Sequence, residues 1–142
     1  MLAPVVLLAV LLLAACGGGD EAGSTPTVDG TRWSGPAELR PAEGVLDVDD
    51  FDRHAESVDE AWERDPELLA REFLRVQDGE ADVADGRVVV TRDNLQDDSV
   101  RAERWVLELE RDSDGWRLRS ARWEQRCHVG RGHQSFGNDL CL

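Results

Sequence analysis

The sequence predicts an α+β domain in which two N-terminal helices pack on a three-stranded antiparallel meander, followed by a C-terminal disulfide loop. Three observations favour this class. Apolar residues recur at helical spacing between residues 50 and 79, apolar and polar residues alternate from residue 87 onward, and two cysteines lie near the end of the chain. Helices followed by strands, without a strand-helix-strand alternation, are typical of α+β domains.

The first helix is predicted over residues 50–64. Phe51, Ala55, Val58 and Trp62 are spaced so that they share one face of a helix. The opposite face is acidic, as expected of a helix that packs on a sheet by one side only.

The second helix is predicted to begin at Asp65. Asp65 is a favourable N-cap, Pro66 suits the first helical position, and the acid Glu67 suits the first turn. Three residues of this helix face inward (Leu69, Phe73 and Val76), and Gly79 lies just past its predicted end.

Three strands are predicted, over residues 87–91, 99–111 and 116–125. In the middle strand, three apolar residues face the core (Trp105, Leu107, Leu109) and three charged residues face away (Arg104, Glu108, Glu110). Residues 112–115 form the turn to the last strand. In that strand Ala121 and Trp123 have the opposite parity to Trp116 and Leu118, so either a β-bulge intervenes or both faces are covered.

The N-terminus carries an apolar run, residues 5–13, that closes in Leu13-Ala14-Ala15-Cys16 before three glycines. A transmembrane helix needs about 20 apolar residues, so this run is too short, although a retained short hydrophobic anchor is the alternative. The tetrapeptide resembles the lipobox of bacterial lipoproteins. The resemblance implies that residues 1–15 are a signal peptide, that Cys16 carries a diacylglyceryl group, and that Cys16 becomes the mature N-terminus.

The lipobox resemblance also implies the organisation of the mature chain. Residues 16–36 are rich in Gly, Ser, Thr, Pro and acids, which predicts a lipidated flexible tether, and residues 37–142 form a single small domain. The segment Trp123 to Gln134 and the Asp-Gly turn before Trp116 resemble those of small actinobacterial envelope lipoproteins without an assigned function. The expected location is the extracytoplasmic face of the cell membrane, with the lipid bilayer as a partner.

Once Cys16 is assigned to lipid, Cys127 and Cys141 remain as an even pair in an oxidising compartment, and a disulfide between them is expected. Two free thiols are the alternative if the compartment is reducing. With His128 and His133 these cysteines also offer zinc ligands, but no Cys-x-x-Cys spacing is present, so no metal site is predicted.

Composition and the remaining motifs narrow the function further. The net charge of −14 excludes nucleic acid as an expected partner. The acidic run 47–52 lacks the central glycine and distal Glu of a calcium loop, and the surroundings of Ser135 do not fit the Gly-x-Ser-x-Gly motif of hydrolases. No catalytic residue and no cofactor is therefore predicted.

Five tryptophans and no tyrosine leave room for a binding surface. Trp62, Trp105 and Trp116 occupy core-facing positions, so the candidate surface residues are Trp33, Trp123 and His133. The leading hypothesis is a non-enzymatic interaction module that contacts another envelope protein. The runner-up is a small-ligand carrier with a cystatin-like or NTF2-like cup, lined by Trp105, Trp116 and Phe73, and an enzyme ranks last.

Overall fold

A computed structural model describes residues 32–142 of the protein. Its elements, in chain order, are β1 (Val45–Leu46), α1 (Asp49–Ala55), a short 3₁₀ helix (Ala61–Arg64), α2 (Pro66–Leu74), β2 (Glu80–Ala84), β3 (Arg87–Arg92), β4 (Val100–Arg111) and β5 (Trp116–Cys127). The strands form one antiparallel sheet in the order β1-β5-β4-β3-β2. Within the described range, no helix is both long enough and apolar enough to cross a membrane.

The predicted three-stranded meander under two N-terminal helices is wrong, because the sheet has five strands and the two α-helices are short. The first helix ends at Ala55 instead of continuing to residue 64. Ser57 breaks it by bonding the His54 carbonyl with both its backbone N–H, at 2.9 Å, and its hydroxyl, at 2.7 Å. Trp62 lies on the 3₁₀ helix and still packs on Phe51, with ring centroids 5.5 Å apart. The apolar spacing therefore marked a shared core, but not one continuous helix.

Two strands, β1 and β2, were not predicted. They form by pairing with neighbouring strands and show no clear alternation of apolar and polar residues. The strand β2 lies at the sheet edge, and four of its five residues are exposed. It is held by its register with β3, which places Ala81 opposite Val90 and Val83 opposite Val88. The strand β1 is two residues long and pairs with Arg122 and Ala121. A strand of that length leaves no periodicity to detect.

The remaining elements follow the sequence more closely, but α2 ends at Leu74, short of the predicted end before Gly79, because Arg75 turns the chain with a φ of 55°. Asp65 caps α2 with its carboxylate, which accepts the backbone N–H groups of Glu67 at 2.9 Å and Leu68 at 3.0 Å. The three predicted strands are present within two residues at each end. The β4-β5 register passes from Glu108–Ser120 to Leu109–Leu118, which leaves Arg119 as a β-bulge.

The core lies between the helices and one face of the sheet, here called the inner face. Trp105, Phe73 and Phe51 are among the largest fully buried side chains. Residues 33–41, here called the strap, cross this face: Trp33 donates its indole N–H to the Phe73 carbonyl at 2.8 Å, and Trp105 donates to the Leu39 carbonyl at 2.9 Å. The strap therefore closes the core at the end of the sheet where β4 begins.

The predicted C-terminal disulfide loop is present, with Cys127 and Cys141 bonded and their Cα atoms 5.4 Å apart. Gly137 extends the β5 edge by exchanging two backbone hydrogen bonds with Gln125, at 2.7 and 3.0 Å. On the opposite, outer face of the sheet, the Phe136 ring lies 4.3 Å from the Arg104 guanidinium. The loop is thus attached to both the edge and the outer face of the sheet.

Candidate functional site

A cleft of about 500 Å³ opens where β4 begins and where β3 and β5 end. Arg40 of the strap and Arg92 of β3 form one part of its lining. Its apolar part consists of three side chains from different segments: Leu95, Val100 and Leu140. A volume of this size falls within the range of small-molecule and peptide side-chain sites.

Glu103 is the buried polar group at the bottom of the cleft. Its side chain is 1% exposed, because odd-numbered residues of β4 in this region face inward together with Trp105. Arg40 bonds both of its oxygens, at 2.5 and 2.9 Å, and Arg92 bonds one of them at 2.9 Å. The hydrogen bond to Glu103 raises the pKa of Arg40. A buried carboxylate needs such charged partners, since removal from water is costly.

Two further buried polar side chains line the cleft from β5. Gln125 donates its amide N–H to the Asp139 carbonyl at 2.7 Å, which ties the cleft to the disulfide loop. Trp123 is 5% exposed, and its buried Nε1–H meets no hydrogen-bond acceptor in the described part of the chain. Buried donors without acceptors are rare, and they often mark a place that water or a ligand occupies.

The rim of the cleft is rigid at Asp97. Its carboxylate accepts the backbone N–H groups of Ser99 at 2.8 Å and Val100 at 2.7 Å. The hydrogen bond from Val100, followed by the one from Ser99, lowers the pKa of the Asp97 carboxyl group. The turn before β4 is therefore closed by its own side chain, which stays ionised over the neutral range.

The segment that follows β5, whose Leu140 lines the cleft, carries the most exposed large apolar side chains of the described residues. Val129, Leu140 and Leu142 are 86%, 81% and 82% exposed. Leu142 is fixed by its backbone, since its N–H donates to the Arg131 carbonyl at 2.7 Å and its carbonyl accepts the Ser99 hydroxyl at 2.8 Å. We call these three residues, together with the cleft, the disulfide end.

His133 fastens the disulfide loop internally. Its Nδ1 lies 2.6 Å from the Ser135 carbonyl and its Nε2 lies 2.9 Å from the Asp139 carbonyl. A carbonyl oxygen only accepts, so both nitrogens must donate and the ring favours the protonated form. The Ser135 carbonyl, followed by that of Asp139, accordingly raises the pKa of His133.

The three residues predicted as a binding surface lie in different places. Trp33 is partly buried and packs edge-on against Phe51, with ring centroids 5.2 Å apart. Trp123 lies in the inner face and lines the cleft, and His133 lies inside the disulfide loop. The structure does not bring them together as one surface. The predicted lipidation site, Cys16, lies outside the described residues.

Three of the four residues weighed as zinc ligands come together, and His128 is not among them. Ligand atoms of Cys127, His133 and Cys141 all lie within 4.8 Å of one another. The two sulfurs, however, are bonded to each other, and both nitrogens of His133 face backbone carbonyls. Zinc binding requires thiolates and a neutral imidazole, so this oxidised form does not suit the metal.

Sequence reasoning missed Arg40, Arg92, Glu103, Gln125 and Leu140 as site residues. One signal was present at Glu103, since an acid at the inward parity of a half-buried strand must find cationic partners. The positions of Arg40 and Arg92 depend on the strap and on β3 meeting β4, which no local pattern specifies.

The lining of the cleft, as far as the described residues form it, contains no histidine, serine or cysteine. The arginines, carboxylates, amides and indole of this lining can bind and orient a ligand through hydrogen bonds, and its aliphatic side chains add apolar contact. No protein-family model, curated protein or solved structure matches the chain.

Proposed function

We propose that this protein is a non-enzymatic interaction module, held at the extracytoplasmic face of the cell membrane by lipid on Cys16, that binds an envelope protein with its disulfide end. The observation that carries the proposal is the exposure of Val129, Leu140 and Leu142, at 86%, 81% and 82%. All three lie on one segment, residues 129–142, and exposed apolar surface of this kind is typical of protein contact sites.

The energetics favour a partner at this place. Full burial of a Val or Leu side chain contributes about 1.5–3 kcal/mol. The disulfide and the backbone bonds of Leu142 already order the segment, so little conformational entropy is lost on binding. A rigid apolar surface of this kind binds more tightly than a flexible one of equal area.

The distribution of charge also supports the disulfide end as the binding surface. Residues 1–86 contain 20 of the 30 acidic residues and six of the 16 arginines, which accounts for the whole net charge of −14. Residues 87–142 contain ten of each and are balanced. Charged residues are depleted in the centres of protein interfaces, and a partner that docks on the balanced half avoids the acidic helical side.

The anchor is proposed on the lipobox resemblance. Two acyl chains hold a protein stably at a bilayer, whereas one chain alone is marginal. Tethering confines the domain and its partner to the same surface, which raises their effective concentration without any added contact.

Photo-crosslinking in living cells tests the proposal. A photo-crosslinking amino acid replaces Leu142 or Val129 in the full anchored chain, and Val83, which is 41% exposed on the opposite sheet edge, is the matched control. We expect both disulfide-end positions to capture the same protein, the Val83 position not to capture it, and a Cys16→Ser form to capture much less. No capture from the disulfide end, or equal capture from Val83, contradicts the proposal.

The runner-up function, a small-ligand carrier, is favoured by the cleft and not by the residues first expected to line a cup. Phe73 and Trp105 are fully buried in the core, whereas Arg40, Arg92 and Trp123 line an opening of about 500 Å³. The lipoprotein anchor and the carrier function are compatible.

A further inference from the structure

We infer that the cleft of the disulfide end binds a carboxylate attached to an aliphatic group, presented either by a partner's peptide chain or by a free acid. The inference deepens the proposed function, because Leu140 belongs both to the cleft and to the exposed apolar surface. It rests on which hydrogen-bonding groups the cleft has already used and which it has not.

Three hydrogen-bond donors of the cleft have no acceptor among the described residues. Arg40 donates hydrogen bonds from Nε and Nη2 to Glu103. Arg92 donates from Nε to Asp78 and from Nη1 to Glu103. No described residue engages Arg40 Nη1 or Arg92 Nη2, and the Trp123 indole N–H also lacks an acceptor. Guanidinium and indole groups cannot accept hydrogen bonds, so a ligand that satisfies them must supply acceptors, such as the oxygens of a carboxylate.

The acceptor that Arg40 and Arg92 share is Glu103, which already receives three hydrogen bonds from them. Both oxygens of Glu103 already accept from these two arginines. Glu103 therefore fixes the two guanidinium groups in place without satisfying all their donors. Two arginines held by one buried carboxylate form a preorganised receptor for a second carboxylate, since charge-assisted pairs are stronger than neutral hydrogen bonds.

The rest of the lining specifies the remainder of the ligand. Leu95, Val100 and Leu140 give the cleft an apolar part suited to an aliphatic chain of a few carbons. Asp97 at the rim and Asp78 on Arg92 oppose an anion electrostatically. We therefore expect a dissociation constant for the isolated group of about 1 mM, which a larger partner would improve through the apolar surface.

Nuclear magnetic resonance of the indole N–H groups tests this inference. The probes are N-acetyl-Ala-Val-Leu with a free carboxylate, its C-terminal amide, octanoate and octanol. We expect the Trp123 indole resonance to move with the acids and not with the amide or the alcohol. The indoles of Trp33 and Trp105, already bonded to backbone carbonyls, serve as internal references. A response to the peptide acid alone assigns a partner chain as the source, and a response to octanoate alone assigns a free acid.

Two variants link the response to this cleft and not to the smaller hollow beside Gly44, which Trp123 also borders. Leu140→Ser should weaken binding about fivefold by removing apolar contact, while Val83→Ser, exposed on the opposite sheet edge and outside the cleft, should leave it unchanged. Arg40→Lys should weaken acid binding by about tenfold, because the ammonium cannot bond Glu103 and a ligand in the same geometry.

The inference is overturned if neither acid moves the Trp123 resonance at 20 times the expected dissociation constant, or if the amide and the alcohol bind as well as the acids. That result leaves the proposed function standing, because crosslinking at Val129 and Leu142 does not depend on the cleft. Conversely, acid binding without partner capture retains the cleft and removes the protein-docking proposal.

Discussion

Glu103 and Arg40 lie 63 residues apart in the sequence and form a two-point ion pair, with Arg40 Nε 2.5 Å and Nη2 2.9 Å from the two carboxylate oxygens. The pair joins the strap to the buried start of β4. Glu103 is 1% exposed and Arg40 is 52% exposed, so only the Glu103 carboxylate bears the full desolvation penalty. Arg40 thereby makes an otherwise unfavourable buried carboxylate tolerable.

Removal of Arg40 should destabilise the fold. Arg40→Ala leaves Glu103 with Arg92 as its cationic partner, and we expect the free energy of unfolding to fall by about 2 kcal/mol. Arg101→Ala is the matched control, since the Arg101–Asp93 pair is 3.5 Å apart and about half exposed on both sides, so about 0.5 kcal/mol or less is expected there. Urea denaturation measures both, and equal losses would contradict a special role for the buried pair.

The cap of α2 provides a second stability prediction. Asp65→Ala removes the acceptor of two N-terminal N–H groups of a nine-residue helix and should cost about 1 kcal/mol. Asp65→Asn keeps a capping oxygen and should cost only a few tenths of a kcal/mol. Thermal or urea unfolding separates the two variants. If Asp65→Ala is as stable as the wild-type protein, the cap does not contribute to the fold.

These elements show what the sequence could predict. Asp65 and Pro66 act on their own neighbours, and the alternation around Trp105 lies within one strand, so both features are visible locally. The parity change after Leu118 was visible for the same reason and left two explanations, a β-bulge or two covered faces, of which the structure has the bulge at Arg119. Signals of this kind need no knowledge of the rest of the chain.

The missing parts depend on distant partners. The sequence of β2 shows no strand pattern, because the strand lies at the sheet edge with most of its residues exposed. Its pairing with β3 is what makes it a strand. The first helix was predicted too long because Trp62 packs on Phe51 from a separate 3₁₀ helix. The spacing of apolar residues does not distinguish this arrangement from one continuous helix. The cleft was invisible because the strap brings Arg40 to Glu103 across 63 positions.

The disulfide supports both the fold and the proposed surface. A double Cys127→Ser and Cys141→Ser variant should lose about 3 kcal/mol of unfolding free energy, the chain-entropy value for a loop of this length. Wild-type protein under reducing conditions should unfold at the same urea concentration as the variant, which controls for the serines themselves. A loss below about 1 kcal/mol would mean that the hydrogen bonds of the loop hold it without the covalent link.

His133 predicts a pH dependence of the disulfide loop. The Ser135 and Asp139 carbonyls favour the imidazolium and raise the pKa of His133 above 6.5. A group with a raised folded-state pKa contributes stability that is complete below its unfolded pKa and is lost as the pH rises through the folded one. The neighbours that bear on it are Asp139, whose charge also favours protonation, and the Cys127–Cys141 disulfide, which does not titrate.

We therefore expect the His133 ring protons to titrate with a midpoint above 6.5 in the folded protein. The stability difference between wild type and His133→Gln should be larger at pH 5.5 than at pH 9, because glutamine retains a donor but carries no charge. Proton resonances measured from pH 5 to 9, with a His128→Gln variant to assign the two loop histidines, give the midpoint. A midpoint at or below 6.5, or a stability difference that does not change with pH, would show that the two carbonyls do not hold a charged ring.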